Sequence, residues 1–472
     1  MLDCRSQRRW WLARFGTAGA LAAIGMWALS CILSPTIDAA KTIVFTEYAT
    51  AANAELRQRQ LDMFEKVTGI HVDYQPLEWF PALEKYPVML AAGSYPDLWM
   101  FPPQLWDAFA QSHEAFVDLR PYVEGAGYDI SLLPRGQVEA GTVEGRWIGL
   151  ASYVGWAPSY DLLAYNKGFL SQAGVADLDP GLTWQDLYLI DQKLTRDISG
   201  DSTVDIAGST IGIHGSSAHE GVVQNILRAY GGSFVKNDLS GANVQDPRSV
   251  AAFRFIKQFV DTYRESGLEL SWFAFSEGDA AIYMGGPQNI LTEYQGLERL
   301  GMEMGVTILP RGPVTRGYIR QPETDMGPGT PVFPFVIPKG PNQEEAWRLF
   351  EFLVFDPRSL EVYSGMNVIP TVYYRPNLEG MARNLGPVAR MLLPRLQEAE
   401  AEAVTMLWNP AWGIELEMGN GRGRDIMTEY MQGQVSLAQM LSNLERFINA
   451  QLAAYSDRVE YVQGVLKRAG LI

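Results

Sequence analysis

Aromatic, amide and carboxyl side chains stand at the ends of short apolar segments that have the residue pattern of β-strands. Glu47 and Tyr48 follow the first such segment, Trp79 begins the helix after the second, and Phe101 and Gln104 come at the end of the third. Ligands of α/β proteins bind at the carboxyl ends of strands. Flat rings can stack on the apolar faces of a ligand, and amide or carboxyl groups can bind its polar groups. The pattern therefore predicts a ligand site at this end of the strands.

Two further aromatic residues, Trp408 and Trp412, stand among Asn, Pro and Gly in a segment typical of a loop. This setting favours ligand contact over core packing, whereas for an average aromatic residue core packing is the commoner role. Trp99 and Trp347 show the opposite pattern, because both lie inside apolar segments. We therefore predict that these two belong to the core.

One acidic loop has the oxygen spacing of a calcium site. Asp197, Ser199, Asp201 and Asp205 occupy positions 1, 3, 5 and 9, which lets a loop wrap around Ca²⁺. The match to an EF-hand fails further on, because Gly200 stands at position 4 rather than 6 and position 12 holds no Glu. Two interpretations remain open: a structural calcium site, and a surface turn without metal. No other cofactor is expected.

Local motifs of common enzymes do not occur in the sequence: there is no G-x-S-x-G, no H-E-x-x-H, no Walker loop and no G-x-G-x-x-G after a strand. We interpret His71, His113, His214 and His219 as exposed loop residues rather than metal ligands. Among 54 acidic residues some pair always has the separation that glycoside hydrolysis needs. A secreted glycoside-active enzyme therefore stays as the alternative to a binding protein without enzyme activity.

Length and charge narrow the class of protein. The chain of 472 residues suits two or three domains, and 47% hydrophobic residues exclude a disordered chain. The net charge of −16 disfavours nucleic acid as a partner, because such binding needs a basic surface. Beyond the first forty residues no segment is long and apolar enough to span a bilayer, which predicts a soluble body.

Residues 1–40 have the pattern of an export signal: a basic start, an apolar segment and small residues that end at Ala40. The pair Arg8-Arg9, followed by aromatic residues and a leucine, resembles a twin-arginine signal. An ordinary secretory signal and an uncleaved anchor helix are the alternatives. A lipid anchor at Cys31 is disfavoured, since the preceding leucine is one position too late. We expect a periplasmic or cell-surface protein whose cleaved form lacks cysteine.

The elements that position these residues alternate between strand and helix. Strand patterns at 42–45, 70–74 and 97–101 are separated by helical patterns at 51–66 and 79–92, an order that predicts a parallel sheet covered by helices. The alternation repeats downstream, where Thr183 and Asp186 form a near capping box at a helix start. Two α/β lobes are the natural interpretation.

Several segments, in order and over about 42–375, resemble the carbohydrate-type (family 1) extracellular solute-binding proteins of ABC importers, the group that includes maltose-binding protein. The segments that carry the resemblance are Phe64–Ile70 (FEKVTGI), Leu90–Leu98 (LAAGSYPDL), Tyr165–Lys167 (YNK), Thr183–Leu187 (TWQDL), Gly278–Ile282 (GDAAI), Gly285–Pro287 (GGP), Leu309–Pro313 (LPRGP) and Ile337–Gly340 (IPKG). The resemblance implies the type II periplasmic-binding-protein fold, an α/β fold of two lobes joined by two or three crossovers, with the ligand in the cleft between them.

By the same resemblance, the crossovers lie near Ser159, Pro334 and Asn377. The first lobe is then 41–158 plus 335–378, and the second is 159–334 plus 379–472. The implied function is capture of a carbohydrate-like solute, and the implied partners are the transmembrane subunits of an ABC permease. The resemblance also supports ligand contacts for four residues named above, Phe101, Gln104, Trp408 and Trp412. It implies four further contacts, from Trp156, Tyr160, Trp272 and Gln288. Gln288 stands at a position where the family often has Trp.

Overall fold

The structure is a computed structural model, and everything below concerns the residues that it describes. These are 41–49, 51–102, 105–133, 138, 141–151, 153–154, 161–264, 271, 273–320, 334–363, 369–370, 387–402, 404–405, 421–454, 456–468, 470 and 472. Outside them lie the export segment 1–40, Ser159 and Asn377 at predicted crossovers, and Gln104, Trp156, Tyr160, Trp272, Trp408 and Trp412.

Strands and helices alternate along most of the described chain. The strands are β1 (Thr42–Tyr48), β2 (His71–Leu77), β3 (Leu98–Met100), β4 (Thr142–Val143), β5 (Arg146–Trp147), β6 (Leu150–Ala151), β7 (Tyr153–Val154), β8 (Leu162–Asn166), β9 (Ile282–Gly285), β10 (Met304–Ile308), β11 (Ile319–Arg320), β12 (Pro334–Val336), β13 (Ile369–Pro370) and β14 (Val404–Thr405). The helices are α1 (Ala51–Thr68), α2 (Trp79–Ala92), α3 (Trp106–Gln111), α4 (Arg120–Gly125), α5 (Lys167–Gln172), α6 (Trp184–Leu194), α7 (Thr210–Ser216), α8 (Glu220–Ala229), α9 (Pro247–Arg264), α10 (Ala274–Glu277), α11 (Pro287–Arg299), α12 (Gln343–Phe355), α13 (Pro357–Tyr363), α14 (Pro387–Ala401), α15 (Arg422–Met431), α16 (Leu437–Ala454) and α17 (Ser456–Arg468).

The first sheet has the strand order β2-β1-β3-β12-β6 in the described chain. Strand β1 pairs in parallel with β2 and β3, as the predicted strand–helix alternation requires, because a helix between two strands carries the chain back to the same end. Strand β12 runs antiparallel to both β3 and β6. The sheet is therefore mixed: β2, β1 and β3 are parallel, as predicted, and β12, from a later part of the chain, is antiparallel to its neighbours.

The second sheet has the order β10-β8-β9, and β8 is antiparallel to both neighbours. The repeated parallel pattern predicted for this part of the chain is thus only partly present. Strands β9 and β10 point the same way and are joined by α11, which is the expected crossover. Strand β8, by which the chain enters this sheet, lies between them and runs in the opposite direction.

Local signals at two helix ends behave as the sequence predicts. Thr183 Oγ1 accepts a hydrogen bond from the Asp186 amide at 3.1 Å, and Asp186 Oδ2 accepts one from the Thr183 amide at 3.1 Å, which completes a capping box at the start of α6. Gly93 ends α2 in the left-handed conformation with φ 65°. These ends fix the directions in which the chain enters and leaves each helix.

Each sheet has its own hydrophobic core. The first is packed by α1 and α12 and by a smaller aromatic cluster around Trp99, and both Trp99 and Trp347 are buried, as predicted. The second core combines residues from 162–318 with residues from 388–466. The segment after β12 therefore contributes to the first core and the C-terminal helices to the second.

Buried acids make the stability of the second core depend on pH. Asp191 is fully buried and accepts a hydrogen bond from the Tyr263 hydroxyl at 2.6 Å, and burial raises its pKa from 3.8 to about 7. A raised folded-state pKa gives stability that is complete below about pH 4 and is lost as the pH rises through 7. Burial also raises the pKa values of Asp161 and Glu293 to about 7, so these two carboxyl groups make stability decline over the same pH range.

We therefore expect Asp191→Asn to reduce the decline in the free energy of unfolding between pH 4 and pH 7, since an amide does not ionise. The decline should not vanish, because other carboxyl groups with raised pKa values remain, among them Asp161, Glu293 and Asp279. Urea denaturation at a series of pH values measures the slope. An unchanged slope in the folded variant contradicts the prediction.

Candidate functional site

The carboxyl ends of several strands of the first sheet meet at one edge. Tyr48, the last residue of β1, pairs with Leu77, the last of β2. Ala151, the last residue of β6, pairs with Pro334, the first of β12. Because β12 is antiparallel to β3, its first residue also lies at the end where β3 leads into Phe101. This edge, which we call the first-sheet edge, has the topology at which α/β proteins bind ligands.

The matching edge of the second sheet lies where the chain enters it. Leu162, at the start of β8, pairs with Gly285 and with Ile308, the last residues of β9 and β10. The chain leaves the first-sheet edge after Ala151 and reaches this second-sheet edge at Leu162; it leaves near Ile308 and returns at Pro334. Both connections between the sheets thus begin at one of these edges and end at the other.

Glu47 was predicted to contact the ligand, and the structure places it in the core instead. Its side chain is 1% exposed, and its Oε1 accepts hydrogen bonds from Arg57 Nε at 2.8 Å and from the Tyr74 hydroxyl at 2.5 Å. A carboxylate in an apolar interior requires such partners. Glu47 lies one position before the end of β1, where its side chain is covered by α1, whereas Tyr48 at the end of the strand is only partly buried against the first core.

Phe101 is likewise buried rather than open to a ligand. Its side chain has no exposed surface, and its ring stacks on that of Phe109 with centroids 3.6 Å apart and an interplanar angle of 16°. Phe109 in turn contacts Trp99 and Phe116. The stacking surface expected for a sugar is therefore used by the aromatic cluster of the first lobe.

Tyr48 and Trp79 are brought together by the ends of β1 and β2. Tyr48 is half-buried at the first-sheet edge, and burial, followed by the charge of Glu78, raises its pKa. Its partner Leu77 stands two positions before Trp79, which starts α2. The ligand contacts of Tyr48 and Trp79 stay predictions, and the side chain of Trp79 lies outside the description.

Gln288 is the second residue of α11, three positions after Gly285 at the second-sheet edge, and its side chain is also outside the description. The residues that follow Trp272 contact another part of α11. Phe273 is 55% exposed, and in the next helix, α10, the Ser276 amide donates to Glu293 in the middle of α11 at 2.9 Å. The contacts predicted for Gln104, Trp156, Tyr160, Trp272, Trp408 and Trp412 concern residues outside the description.

A buried polar cluster at the second-sheet edge has no signal in the sequence. Asp161, just before β8, accepts a hydrogen bond from Asn225 Nδ2 at 2.6 Å, and its backbone carbonyl accepts one from the Tyr318 hydroxyl at 2.7 Å. The same hydroxyl accepts from the Leu309 amide at 2.7 Å. Burial raises the pKa of Asp161 to about 7, against the opposing effects of Asn225 and Arg228. The cluster fixes the point where the chain enters the second lobe.

The histidines were expected to be exposed, and for three of them this is wrong: His113 and His214 are buried and His219 is half-buried. His214 lies inside α7 and is 2% exposed, because its helix packs against α9. His113 is buried at 9% exposure, where its Nδ1 lies 3.0 Å from the Ala110 carbonyl oxygen. Burial, together with the nearby His214 and Arg424, lowers the pKa of His219 to about 3, so this imidazole is neutral.

The carboxylates of the acidic loop bind backbone amides. Asp197 accepts from the Gly200 amide at 2.6 Å and from the Ser202 amide at 2.9 Å, and Asp205 accepts from the Ser199 amide at 2.7 Å. Within the described ranges no group of three His, Cys, Asp or Glu side chains is arranged to hold a metal. The calcium site at Asp197, Ser199, Asp201 and Asp205 stays a prediction.

The described helices include none with the length and apolar character needed to cross a membrane. Sequence comparison gives the family: the bacterial extracellular solute-binding proteins match residues 42–357. The chain belongs to this family. As an extracellular solute-binding protein of the ABC-transporter type, it acts outside the cytoplasm, at the periplasm or cell surface. No curated protein matches it.

Solved structures of low sequence identity share the fold of this solute-binding protein. The sugar-binding protein MalE of Xanthomonas citri is 19% identical, with a TM-score of 0.66, over 89% of this chain and 99% of its own. A periplasmic solute-binding protein of Pectobacterium atrosepticum is 18% identical, with a TM-score of 0.66, over 88% of this chain and 99% of its own. An ABC substrate-binding protein of Listeria monocytogenes in complex with cycloalternan is 17% identical, with a TM-score of 0.62, over 88% of this chain and 99% of its own. The predicted family and the predicted α/β fold of two lobes are confirmed.

Proposed function

We propose that this solute-binding protein captures a carbohydrate-like solute between its lobes and delivers it to the transmembrane subunits of an ABC permease. The observation that carries the proposal is topological: the first-sheet edge and the second-sheet edge both meet the segments that connect the lobes. The ligand class is supported by structures of the same fold that hold cycloalternan, mannotriose and α-D-tagatose. Nucleic acid is not a partner in this proposal.

In the proposed mechanism the two edges supply different chemistry. The rings of Tyr48 and Trp79 stack on the C–H faces of the solute from the first-sheet edge. From the second-sheet edge the amide of Gln288 both donates to and accepts from hydroxyls, a role that the tryptophan common at this position does not have. Closure of the lobes over the solute produces the form that the permease recognises, and the net affinity is the contact energy minus the cost of closure.

As a carrier, the protein releases its solute chemically unchanged and is not a glycoside-active enzyme. We further propose that it is exported through the twin-arginine pair Arg8-Arg9, with cleavage near Ala40 and without a lipid anchor at Cys31. Removal of this segment takes away both cysteines, so the working protein folds without a disulfide.

Thermal denaturation with a panel of oligosaccharides, monosaccharides, sugar acids and polyols tests the proposal. A solute at about a hundred times its Kd should stabilise the fold by roughly 2.7 kcal/mol, which raises the Tm by several degrees. In Tyr48→Ala the solute should raise the Tm much less than in the unmodified protein, when each protein is compared with its own Tm without solute. Tyr294→Ala, at a half-buried position of α11 beyond the first turn that holds Gln288, should keep the full rise in Tm.

Mass spectrometry of the released solute separates binding from catalysis. Recovery of an intact oligosaccharide supports the carrier, and cleavage products support the enzyme. A folded protein whose Tm responds to no member of the panel contradicts the carbohydrate assignment.

A further inference from the structure

A cavity of about 770 Å³ lies in the second lobe between the loop 231–243 and the C-terminal helix α17. This volume is in the range of small-molecule sites. None of the residues that form the first-sheet or second-sheet edge lines it. Most of its lining residues have polar or charged side chains, among them Lys236, Asn237, Asp238, Asn243, Gln463 and Lys467.

Three cations line this cavity, and one of them, Arg248, is paired with Asp246 at 2.9 Å from Nε to Oδ1, so the other two, both lysines, carry its uncompensated charge. Lys236 comes from the loop and Lys467 from α17, and within the described part of the chain neither ammonium group makes an ion pair. Asp238 also lines the cavity, but its carboxylate is bound within its own loop, since Asp238 Oδ1 accepts a hydrogen bond from the Ser240 amide at 2.9 Å. That bond, and to a lesser extent Lys236, lowers the pKa of Asp238. Unpaired cations that face one cavity from two elements are unusual in a chain with a net charge of −16.

Further donors surround the two ammonium groups. The amides of Asn243 and Gln463 line the cavity and are held in place, because Asn243 Nδ2 donates to Ser233 Oγ at 2.9 Å and Gln463 Nε2 donates to the Asp238 carbonyl oxygen at 2.8 Å. Each of these nitrogens keeps one further N–H. The loop is held against α9 because the Ser233 amide donates to Ser249 Oγ at 3.1 Å. The cavity thus presents amide N–H groups in fixed positions beside the two ammonium groups.

We propose that this cavity is a second ligand site, separate from the cleft, that binds a small multivalent oxyanion of the phosphate or sulfate type. Such an anion offers several acceptor oxygens to groups that only donate, and it relieves the repulsion between the two ammonium groups. Its occupation also fixes α17, whose Arg468 lies 3.4 Å from Glu144 Oε1 in the β4–β5 turn of the first lobe. A bound oxyanion therefore stabilises the fold without any solute in the cleft.

Inorganic phosphate is the probe, added to the exported form of the protein without sugar and compared with sodium chloride at equal ionic strength. At about ten times its Kd, phosphate should raise the Tm by about 2 °C. Lys236→Gln and Lys467→Gln should each remove most of this shift. Ser240→Trp, which fills the cavity and keeps both lysines, should remove it too.

Lys66→Gln, an exposed lysine on α1 of the first lobe, is the matched control and should leave the shift intact. No shift with phosphate, or an equal shift in all variants, overturns the proposal. These outcomes leave the sugar response of the cleft unaffected, so the two sites are tested separately.

Discussion

Arg57→Met is expected to lower the free energy of unfolding by about 3–5 kcal/mol, because it leaves the Glu47 carboxylate buried without its counterion. Both side chains are at most 1% exposed, and Arg57 Nε lies 2.8 Å from Glu47 Oε1. Arg57 Nη1 also donates to Gln60 at 2.6 Å, and Gln60 Nε2 donates to the Ser359 carbonyl oxygen at 2.8 Å. The pair therefore joins β1, α1 and α13, and its loss affects the whole first lobe.

The same helix offers a matched control. Arg59 Nη2 lies 2.9 Å from Glu55 Oε1, but these side chains are 63% and 72% exposed. Arg59→Met should therefore cost no more than about 0.5 kcal/mol. The double variant Glu47→Gln/Arg57→Met, which removes both charges, should be more stable than Arg57→Met alone. Equal losses for Arg57→Met and Arg59→Met in urea denaturation would falsify the role given to the buried pair.

Tyr318→Phe is expected to destabilise the second lobe by about 2–4 kcal/mol, because one hydroxyl satisfies two buried backbone groups. It donates to the Asp161 carbonyl oxygen and accepts from the Leu309 amide, each at 2.7 Å. The side chain has no exposed surface, so water does not replace either bond. The two groups lie next to the pair Leu162 and Ile308, where the strand ladder ends and the connecting segment begins.

Hydrogen exchange gives this second prediction a local measurement. The Leu309 amide should exchange faster in Tyr318→Phe, whereas amides in β1 of the first lobe should keep their rates. Tyr294→Phe is the control, since its hydroxyl donates to the exposed Glu298 at 3.0 Å; the stability of this variant should change by less than about 0.5 kcal/mol. Unchanged protection of Leu309 in the folded Tyr318→Phe variant argues against the anchor.

Both predictions concern residues that hold the two sheet edges in place. Glu47 supports the strand that ends at Tyr48, and Tyr318 fixes the residue that leads into β8. A cleft between two lobes depends on such fixed edges, because the ligand contacts of each wall must return to the same positions when the lobes close. We expect both variants to weaken solute binding through their effect on these edges.

The sequence by itself determined the family, the order of the elements and many of their ends. Periodicity and capping residues act between neighbours in the chain, which is why α2 at 79–92 and the capping box of Thr183 and Asp186 agree with the prediction. The motifs between 42 and 357 are local as well, and they were sufficient to identify a solute-binding protein.

Only the tertiary structure decided what individual polar and aromatic residues do. Glu47 and Phe101 stand where ligand contacts were expected, yet Arg57 and Phe109 take them into the core. Asp161 and Tyr318 meet although they are 157 residues apart. Such pairings depend on which elements pack together, and the residue pattern within one element does not specify which other element it will contact. The chain order therefore defines the lobes, while packing between distant segments decides which side chains are left to bind a ligand.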